Sequence, residues 1–195
     1  MKDRTLSILV FLLVLGVVIG TLAYTLTRRR SMAASPTTTH EKSAGGIWTD
    51  SKTGLTWQVK PKGDAMKWNE AKAYCTSLFL GSHRDWRLPT ISELRSLIRG
   101  CKKTETGGLC AVTDRCLKLK GCWNDSCAGC ESKKGPGLDG RYWPAELVGE
   151  NSLDWYWSSS NVADYGRNVW HVDFGSGNVD YGDGYDDGYS VHCVR

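Results

Sequence analysis

Eight cysteines carry the most evident reactive chemistry of this sequence, and all of them lie between positions 75 and 193. Thiols at this density indicate disulfides, a structural zinc site or a redox pair. A cysteine zinc site commonly uses two closely spaced pairs, but Cys127 and Cys130 have no second such pair at a suitable distance. We therefore expect disulfides, which form in an oxidising compartment.

Carboxylates form a second cluster, at Asp180, Asp183, Asp186 and Asp187. Calcium takes about six to eight oxygen ligands, and its best-known loop places Asp at alternate positions before a glycine. These four residues do not follow that spacing, and acidic glycine-rich turns are commonly only solvated. The sequence predicts no cofactor and no metal ligands, with calcium as the alternative.

Histidines, the usual acid–base catalysts, form no recognisable catalytic pattern. His40 lies in a segment rich in Ser, Thr and Ala, and His83, His171 and His192 stand apart from any nucleophile motif. We expect a protein that is not an enzyme.

Charge argues against nucleic acid as a partner. The chain has 25 Lys and Arg against 21 Asp and Glu, but five of the basic residues and one of the acidic residues lie in the first 30 positions. Residues 31–195 therefore carry no net charge and lack the basic surface that phosphate binding requires. Aromatic residues make up 10% of the chain, which excludes a disordered protein.

The N-terminus predicts a membrane anchor. Residues 6–27 form a run of 22 residues without a charge, long enough as a helix to cross the roughly 30 Å core of a bilayer. A cleavable signal peptide is the alternative, but the three Arg at 28–30 would then separate its apolar core from the cleavage site. We expect residues 1–30 to be an uncleaved anchor and residues 31–46 a flexible stalk.

Basic residues flank both ends of this anchor, so the positive-inside rule gives no clear orientation. The cysteines place the C-terminal domain outside the cytoplasm.

The remaining chain, residues 47–195, has the pattern of an α+β domain. Helices are predicted at 68–78, where apolar residues recur with helical spacing, and after the capping box of Thr90 and Glu93, with a stop at Gly100. Strands are predicted at 47–48, 55–58, 155–158, 168–174, 178–181 and 189–195. Two helices followed by an antiparallel sheet indicate the α+β class.

Between these elements, residues 101–141 predict an inserted, disulfide-tied region with little regular structure. It contains six cysteines, whose pairing the sequence leaves open: Cys101, Cys110, Cys116, Cys122, Cys127 and Cys130.

Several stretches of this domain resemble one family of bacterial envelope proteins. They are residues 53–58, residues 68–75, the run Asp-Trp-Arg-Leu-Pro-Thr at 85–90 with Glu93 and Leu94, residues 156–159 and residues 191–195. The family is the Lcl C-terminal domain family, also called DUF1566, and the resemblance covers residues 46–195.

The resemblance implies a C-type-lectin-like fold, in which the chain ends meet, two helices flank a small twisted sheet and the last hairpins carry the ligand surface. It also implies a disulfide between Cys75 on the first helix and Cys193 on the last strand. One family member binds sulfated polysaccharides, but residues 145–187 of this chain contain nine acidic residues and one Arg. Such a surface would repel a polyanion.

Trp123, Asn124 and Asp125 spell a calcium and sugar motif of true C-type lectins. Because they lie within the cysteine-rich insert, we interpret the match as coincidence.

Composition marks the C-terminal hairpins as the predicted ligand surface. Between positions 161 and 192, 23 of 32 residues are Asn, Asp, Tyr, His, Ser or Gly, a set typical of recognition surfaces. Tight hairpins that need such residues for their turns are the alternative. The predicted ligand-binding residues are Tyr165, Asn168, His171, Asp173, Asn178, Asp180, Tyr181, Asp183, Tyr185, Asp186 and Tyr189. Four tryptophans are expected in the core: Trp57, Trp86, Trp155 and Trp157.

The sequence therefore predicts a membrane-anchored recognition module that binds a glycan or protein ligand. The main alternative is a structural envelope protein hardened by disulfides that contacts its neighbours through the insert. A receptor diversified by a retroelement and an enzyme similar to the formylglycine-generating enzymes are weaker alternatives.

Overall fold

A computed structural model of the chain describes residues 46–148 and 154–195. The predicted anchor and nearly all of the predicted stalk lie outside these residues. Within the described ranges, no helix is both long and apolar enough to cross a membrane.

The described chain is an α+β domain, as its sequence predicts. Its strands are β1 (Ile47–Thr49), β2 (Thr56–Gln58), β3 (Lys62–Met66), β4 (Trp155–Asn161), β5 (Asn168–Asp173), β6 (Asn178–Asp183) and β7 (Tyr189–Val191). Its helices are α1 (Trp68–Ser77), α2 (Ile91–Arg95) and the single turn α3 (Leu119–Cys122). Two short 3-10 turns follow, at Asp125–Ala128 and Leu138–Gly140.

Two small sheets hold the domain together. β1 and β2 form an antiparallel hairpin, and five strands form the main sheet in the order β3-β7-β4-β5-β6. Within the main sheet β4 and β7 are parallel, and the other pairs are antiparallel. After β7 the chain returns to β2, where the Thr56 amide donates to the carbonyl of Arg195 at 3.0 Å. The two ends of the domain therefore meet.

Both faces of the main sheet are covered, each by its own apolar cluster. Trp170 and Val172 of β5 pack on one face with α2 and the cysteine-rich insert. Val169 of β5 and Trp157 of β4 pack on the opposite face with α1. The alternation follows from the two-residue period of a strand, which sends neighbouring side chains to opposite sides.

Helix α2 begins as its sequence predicts but is shorter than expected. The Thr90 hydroxyl accepts from the Glu93 amide, while the Glu93 carboxylate accepts from the Thr90 amide at 2.8 Å. Beyond Arg95 the amides of Leu97 and Ile98 donate to carbonyls three residues back, which tightens the backbone out of α-helical geometry. Both side chains stay buried, so the apolar spacing correctly identifies a buried segment.

The run at 85–90 has a structural role next to the C-terminus. Arg87 exchanges two backbone hydrogen bonds with Val194, each 2.9 Å long, and its guanidinium forms two 2.6 Å bonds to the Glu93 carboxylate. Arg195 donates to Asp85 at 2.9 Å. The most specific motif of the sequence thus ties α2 to the end of the chain.

All eight cysteines form disulfides, which leaves none for zinc or redox chemistry as free thiols. The expected pair Cys75–Cys193 is present, linking α1 to the last segment. The other three pairs, which the sequence leaves open, are Cys101–Cys130, Cys110–Cys127 and Cys116–Cys122. The three disulfides of the insert therefore join insert residues to one another, and neither Cys75 nor Cys193 is bonded to the insert.

A buried arginine organises one loop of the insert. Arg95 of α2 is 3% exposed, and its guanidinium donates to the carbonyls of Thr104, Glu105, Cys110 and Val112. Burial lowers the pKa of Arg95 from its ordinary value, because a charged group is poorly solvated in the interior. The loop carbonyls replace the water that this cation loses.

Candidate functional site

The eleven predicted ligand-binding residues fall into two groups on opposite faces of the main sheet. β5 and β6 pair in register, with His171 opposite Asp180 and Trp170 opposite Tyr181. Because side chains alternate along a strand, Asp180 lies on the face of His171, whereas Tyr181 lies on the face of Trp170. One continuous surface of all eleven residues is therefore not present.

The first group, which we call the distal patch, gathers at the far end of β5 and β6. It contains Tyr165, Asn168, Tyr181, Asp183, Tyr185 and Asp186. The rings of Tyr165 and Tyr181 meet edge to face, with centroids 5.6 Å apart. Arg167 bonds to the carboxylates of Asp183 at 2.7 Å and Asp186 at 2.6 Å, and its guanidinium lies over the Tyr185 ring. The patch therefore satisfies much of its own charge.

The second group lies on the other face, where two of its members line a cleft. This cleft, which we call the Trp155 cleft, has a volume of about 380 Å³. It is lined by Ser132, Asp154, Trp155, Asp173, Gly175, Gly188 and Tyr189. Of the predicted ligand-binding residues, only Asp173 and Tyr189 are in this lining, and Asn178, His171 and Asp180 lie on the same face of the sheet.

Trp155 is the main correction to the predicted core. Trp57, Trp86 and Trp157 are buried as expected, but Trp155 is 45% exposed. Its indole stacks on the imidazole of His171, with ring centroids 5.3 Å apart and planes inclined by 11°. Tyr189 meets the same indole edge-on, with centroids 5.1 Å apart. An exposed aromatic plane is thus held in place by two rings beneath and beside it.

His171 and Tyr189 support this plane from inside the protein. They are 3% and 8% exposed, so neither offers the open surface that the sequence predicts for it. Burial lowers the pKa of His171 to about 3, which keeps the imidazole neutral near pH 7. Burial, with Asp187 nearby, raises the pKa of Tyr189, so its phenol stays protonated.

A glycine of β6 makes room for the Tyr189 hydroxyl. A Cβ atom at Gly182 would lie 2.6 Å from that oxygen, so any other residue would force the Tyr189 ring to shift. The hydroxyl donates to Asp187 at 3.3 Å, and the same carboxylate accepts from the Asp183 amide at 2.8 Å. These bonds fasten the loop that follows β6 against the sheet.

Two carboxylates line the cleft, and their partners differ. Asp154 accepts from Arg141 at 2.6 Å and is also paired with Lys133, so its charge is neutralised. Asp173 accepts from the Gly175 amide and the Ser176 hydroxyl, each at 2.7 Å. Both of these donors are neutral, and no ion pair with a described Lys or Arg is found for Asp173, which lies beside Trp155, its neighbour across β4 and β5.

Asp180 adds a third carboxylate on this side of the sheet. It is partly buried, and desolvation raises its pKa even though the Tyr181 amide donates to it at 2.9 Å. Asp180 and Asp187 both raise the pKa of Tyr189 through their negative charge. The face around the cleft is therefore acidic.

The insert supplies one wall of the cleft. The Cys130 amide donates to the Ser176 carbonyl at 2.8 Å, and the Lys133 amide to the Gly175 carbonyl at 2.7 Å. The Cys101–Cys130 disulfide anchors this stretch, which places Ser132 at the cleft. The insert and the C-terminal hairpin thus form the cleft together.

Metal binding finds no support in the described residues, where no group of three or more His, Cys, Asp or Glu is arranged to hold an ion. The Asp-rich segment instead forms hydrogen bonds and ion pairs within the chain. Two side chains of the lectin-like motif at 123–125 also bond within the chain. Asn124 accepts from the Ser126 amide at 2.8 Å, and the Trp123 indole donates to the Val179 carbonyl at 3.1 Å. Both side chains have structural partners.

Sequence reasoning missed Ser132, Asp154 and Trp155 as members of the site. A two-residue alternation puts Trp155 on the face of Trp157, but it does not show that Trp155 is 45% exposed whereas Trp157 is buried. Asp154 and Ser132 lie outside residues 161–192, the segment whose composition predicts the ligand surface. Only the folded arrangement brings them to Asp173 and Tyr189.

Comparison with known proteins gives one result for the domain as a whole. No curated protein is detectably similar to the chain. The profile of the Lcl C-terminal domain family matches residues 46–195, which is the span of the domain just described. The chain therefore belongs to the Lcl C-terminal domain family.

Proposed function

We propose that this protein is a recognition module of the bacterial cell envelope, anchored in a membrane by residues 6–27, that binds a glycan or protein ligand. The observation that carries the proposal is the exposed indole of Trp155 at the mouth of an acidic cleft. Ligand sites are commonly concave, with an aromatic surface and a few polar groups that orient the ligand. The ligand surface then lies on one face of the C-terminal sheet.

A C-type-lectin-like fold is part of this proposal. In support, the two chain ends pair at Thr56 and Arg195, and the disulfide Cys75–Cys193 joins the first helix to the last segment. The last strands also carry the cleft. These three features match what the family resemblance implies.

The disulfides support the proposed location outside the cytoplasm. Four disulfides with no free thiol are typical of proteins from oxidising compartments. Intact mass of the full-length chain, alkylated in native membranes without reductant, tests this location. We expect no alkylated cysteine and retention of the N-terminal segment; six or more reactive thiols would overturn the location.

Ligand binding is tested with the full-length chain on an array of neutral, basic and acidic glycans and on a peptide array. A ligand of this cleft is lost in the double variant Trp155→Ala/Asp173→Asn and retained in Phe79→Ala. Phe79 is a suitable control because it is also aromatic and is 56% exposed. Binding that survives the double variant, or no binding to either array, contradicts the proposal.

The same arrays separate this function from that of a structural protein that uses its insert. Leu109 of the insert is 75% exposed and is not in the lining of the cleft. Binding lost in Leu109→Ala and kept in the cleft variant would assign the contact surface to the insert.

A further inference from the structure

We propose that the Trp155 cleft receives a cationic side chain, Lys or Arg, from a protein partner, an inference that rests on the recognition function proposed above. Three observations carry it: an uncovered indole face, the carboxylates around it, and the way the chain treats its other exposed rings.

The outer face of Trp155 is free to take a cation. His171 covers one face of the indole and Tyr189 meets it edge-on, whereas 45% of the residue remains exposed. The face of an indole carries negative electrostatic potential and attracts ammonium and guanidinium groups within about 6 Å of the ring centre. An arginine fork can in addition stack flat on such a plane.

Of the three other exposed rings among the described residues, two have a cation of their own, and the third, Tyr165, packs edge to face on Tyr181 instead. Arg84 lies 4.3 Å from the centre of the Phe79 ring, and Arg167 lies 4.9 Å from that of Tyr185. Among the described residues no Lys or Arg is placed in this way over Trp155. Trp155, the one exposed tryptophan of residues 46–148 and 154–195, is thus left uncovered in acidic surroundings.

Charge around the cleft favours a cation over an anion. Asp173 has only neutral donors, and Asp180 and Asp187 lie near Tyr189 on the same side. The cations of the cleft, Lys133 and Arg141, are both bonded to Asp154. Four carboxylates, those of Asp154, Asp173, Asp180 and Asp187, thus stand against two cations, which leaves a net negative charge. A basic side chain would therefore be attracted to the cleft, and a sulfate or carboxylate would be repelled.

Small probes test the inference directly on the full-length chain in neutral detergent. The indole N–H signals of tryptophan are recorded by NMR, and that of Trp155 is identified by its loss in Trp155→Phe. Methylguanidinium and tetramethylammonium are the cationic probes, methyl β-glucoside is the neutral probe and acetate the anionic one, all at one ionic strength. We expect saturable shifts of the Trp155 signal with the two cations only.

Variants locate the interaction. Asp173→Asn is expected to weaken methylguanidinium binding by about threefold, and Trp155→Ala by about two- to fivefold, followed through the His171 ring protons. Asp85→Asn makes the same charge change at the C-terminal ion pair with Arg195 and is expected to leave binding unchanged.

The outcomes separate this inference from the recognition function. A saturable shift with the glucoside and none with the cations overturns the cationic ligand and leaves recognition by the cleft standing. No shift with any probe overturns the cationic ligand, and the arrays decide on recognition independently. Equal shifts in Asp173→Asn and the wild-type chain would falsify the electrostatic part of the argument.

Discussion

The imidazole of His171 lies nearly parallel to the indole of Trp155, with ring centroids 5.3 Å apart. One ring is almost fully buried and the other is half exposed, so the pair spans the boundary between core and solvent. Trp155 shields His171 from water, and His171 fixes the plane that Trp155 presents. A change at Trp155 should therefore be detectable in the titration of His171.

Removal of the indole is expected to raise the pKa of His171. Burial is what lowers this pKa to about 3, and Trp155→Ala admits water to the imidazole, which stabilises its charged form. We expect a rise of about one unit or more, measured from the titration of the His171 ring protons by NMR. In Phe79→Ala the same titration should be unchanged, and an unchanged value in Trp155→Ala would show that other groups provide the burial.

Acid is expected to destabilise the domain through its two buried histidines. Burial lowers the pKa of His171 to about 3 and that of His192 to about 4, whereas both titrate near 6.5 in the unfolded chain. Below pH 6.5 the unfolded state therefore binds protons that the folded state does not, and stability falls with pH down to these folded values. Each histidine lowers the free energy of unfolding by up to about 1.4 kcal/mol for each pH unit between 6.5 and its folded pKa.

Urea unfolding at pH 7.0 and at pH 5.5 measures this loss. His192 is held by the carbonyl of Gln58, 2.9 Å from Nδ1, and stacks on Tyr156, so its ring has little freedom to reach water. Equal unfolding free energies at the two pH values would contradict the buried, neutral state of both rings.

The α+β class, the strands around the hairpins and both main helix starts follow from sequence because they depend on local signals. Periodicity marks β5, and the capping box marks α2. Strand β3 has no such signal: its sequence is Lys-Gly-Asp-Ala-Met, and it is a strand because it pairs with β7 at Val191 and Tyr189. Pairing with a distant strand, and not the local sequence, therefore makes these residues a strand.

The candidate site depends on long-range contacts to a greater extent. Composition points to the C-terminal hairpins as a whole, but the register of β5 and β6 separates Tyr181 from Asp180 onto opposite faces. Trp155 and Ser132 reach the cleft from two other parts of the chain. The pairing of the six cysteines in the insert likewise depends on which loops pack together, and no local pattern encodes that.

Arg95→Met is expected to disorder the insert. The guanidinium satisfies carbonyls of four residues between Thr104 and Val112, and a thioether side chain cannot donate to any of them. Buried carbonyls without partners are costly, so we expect a loss of about 2–4 kcal/mol in the unfolding free energy. Hydrogen exchange should show faster exchange in residues 101–112.

Arg84→Met provides the matched control, because Arg84 is exposed and lies over the Phe79 ring. We expect a change within about 0.5 kcal/mol for this variant. A similar loss in both variants would mean that a general effect of charge removal explains the result.

Two disulfides of very different loop length allow a direct comparison. Cys75–Cys193 spans 118 residues and Cys116–Cys122 spans six. In the chain-entropy model the long loop contributes about 5 kcal/mol and the short one about 2 kcal/mol, because a longer loop restricts the unfolded chain more. Paired Cys→Ser variants of each bond, compared by urea unfolding, should show that difference, and the reverse order would contradict it.

The meeting of the chain ends has an architectural consequence. Gly46 accepts from the Val59 amide, and the neighbouring Gln58 donates to the Cys193 carbonyl across the other edge of β2. Two strand spacings, roughly 10 Å, thus separate the entry and exit of the domain. A unit with neighbouring ends can be spliced into a surface loop of a host protein, or circularly permuted, without stretching either chain. The domain can therefore be inserted into another protein as a complete folding unit.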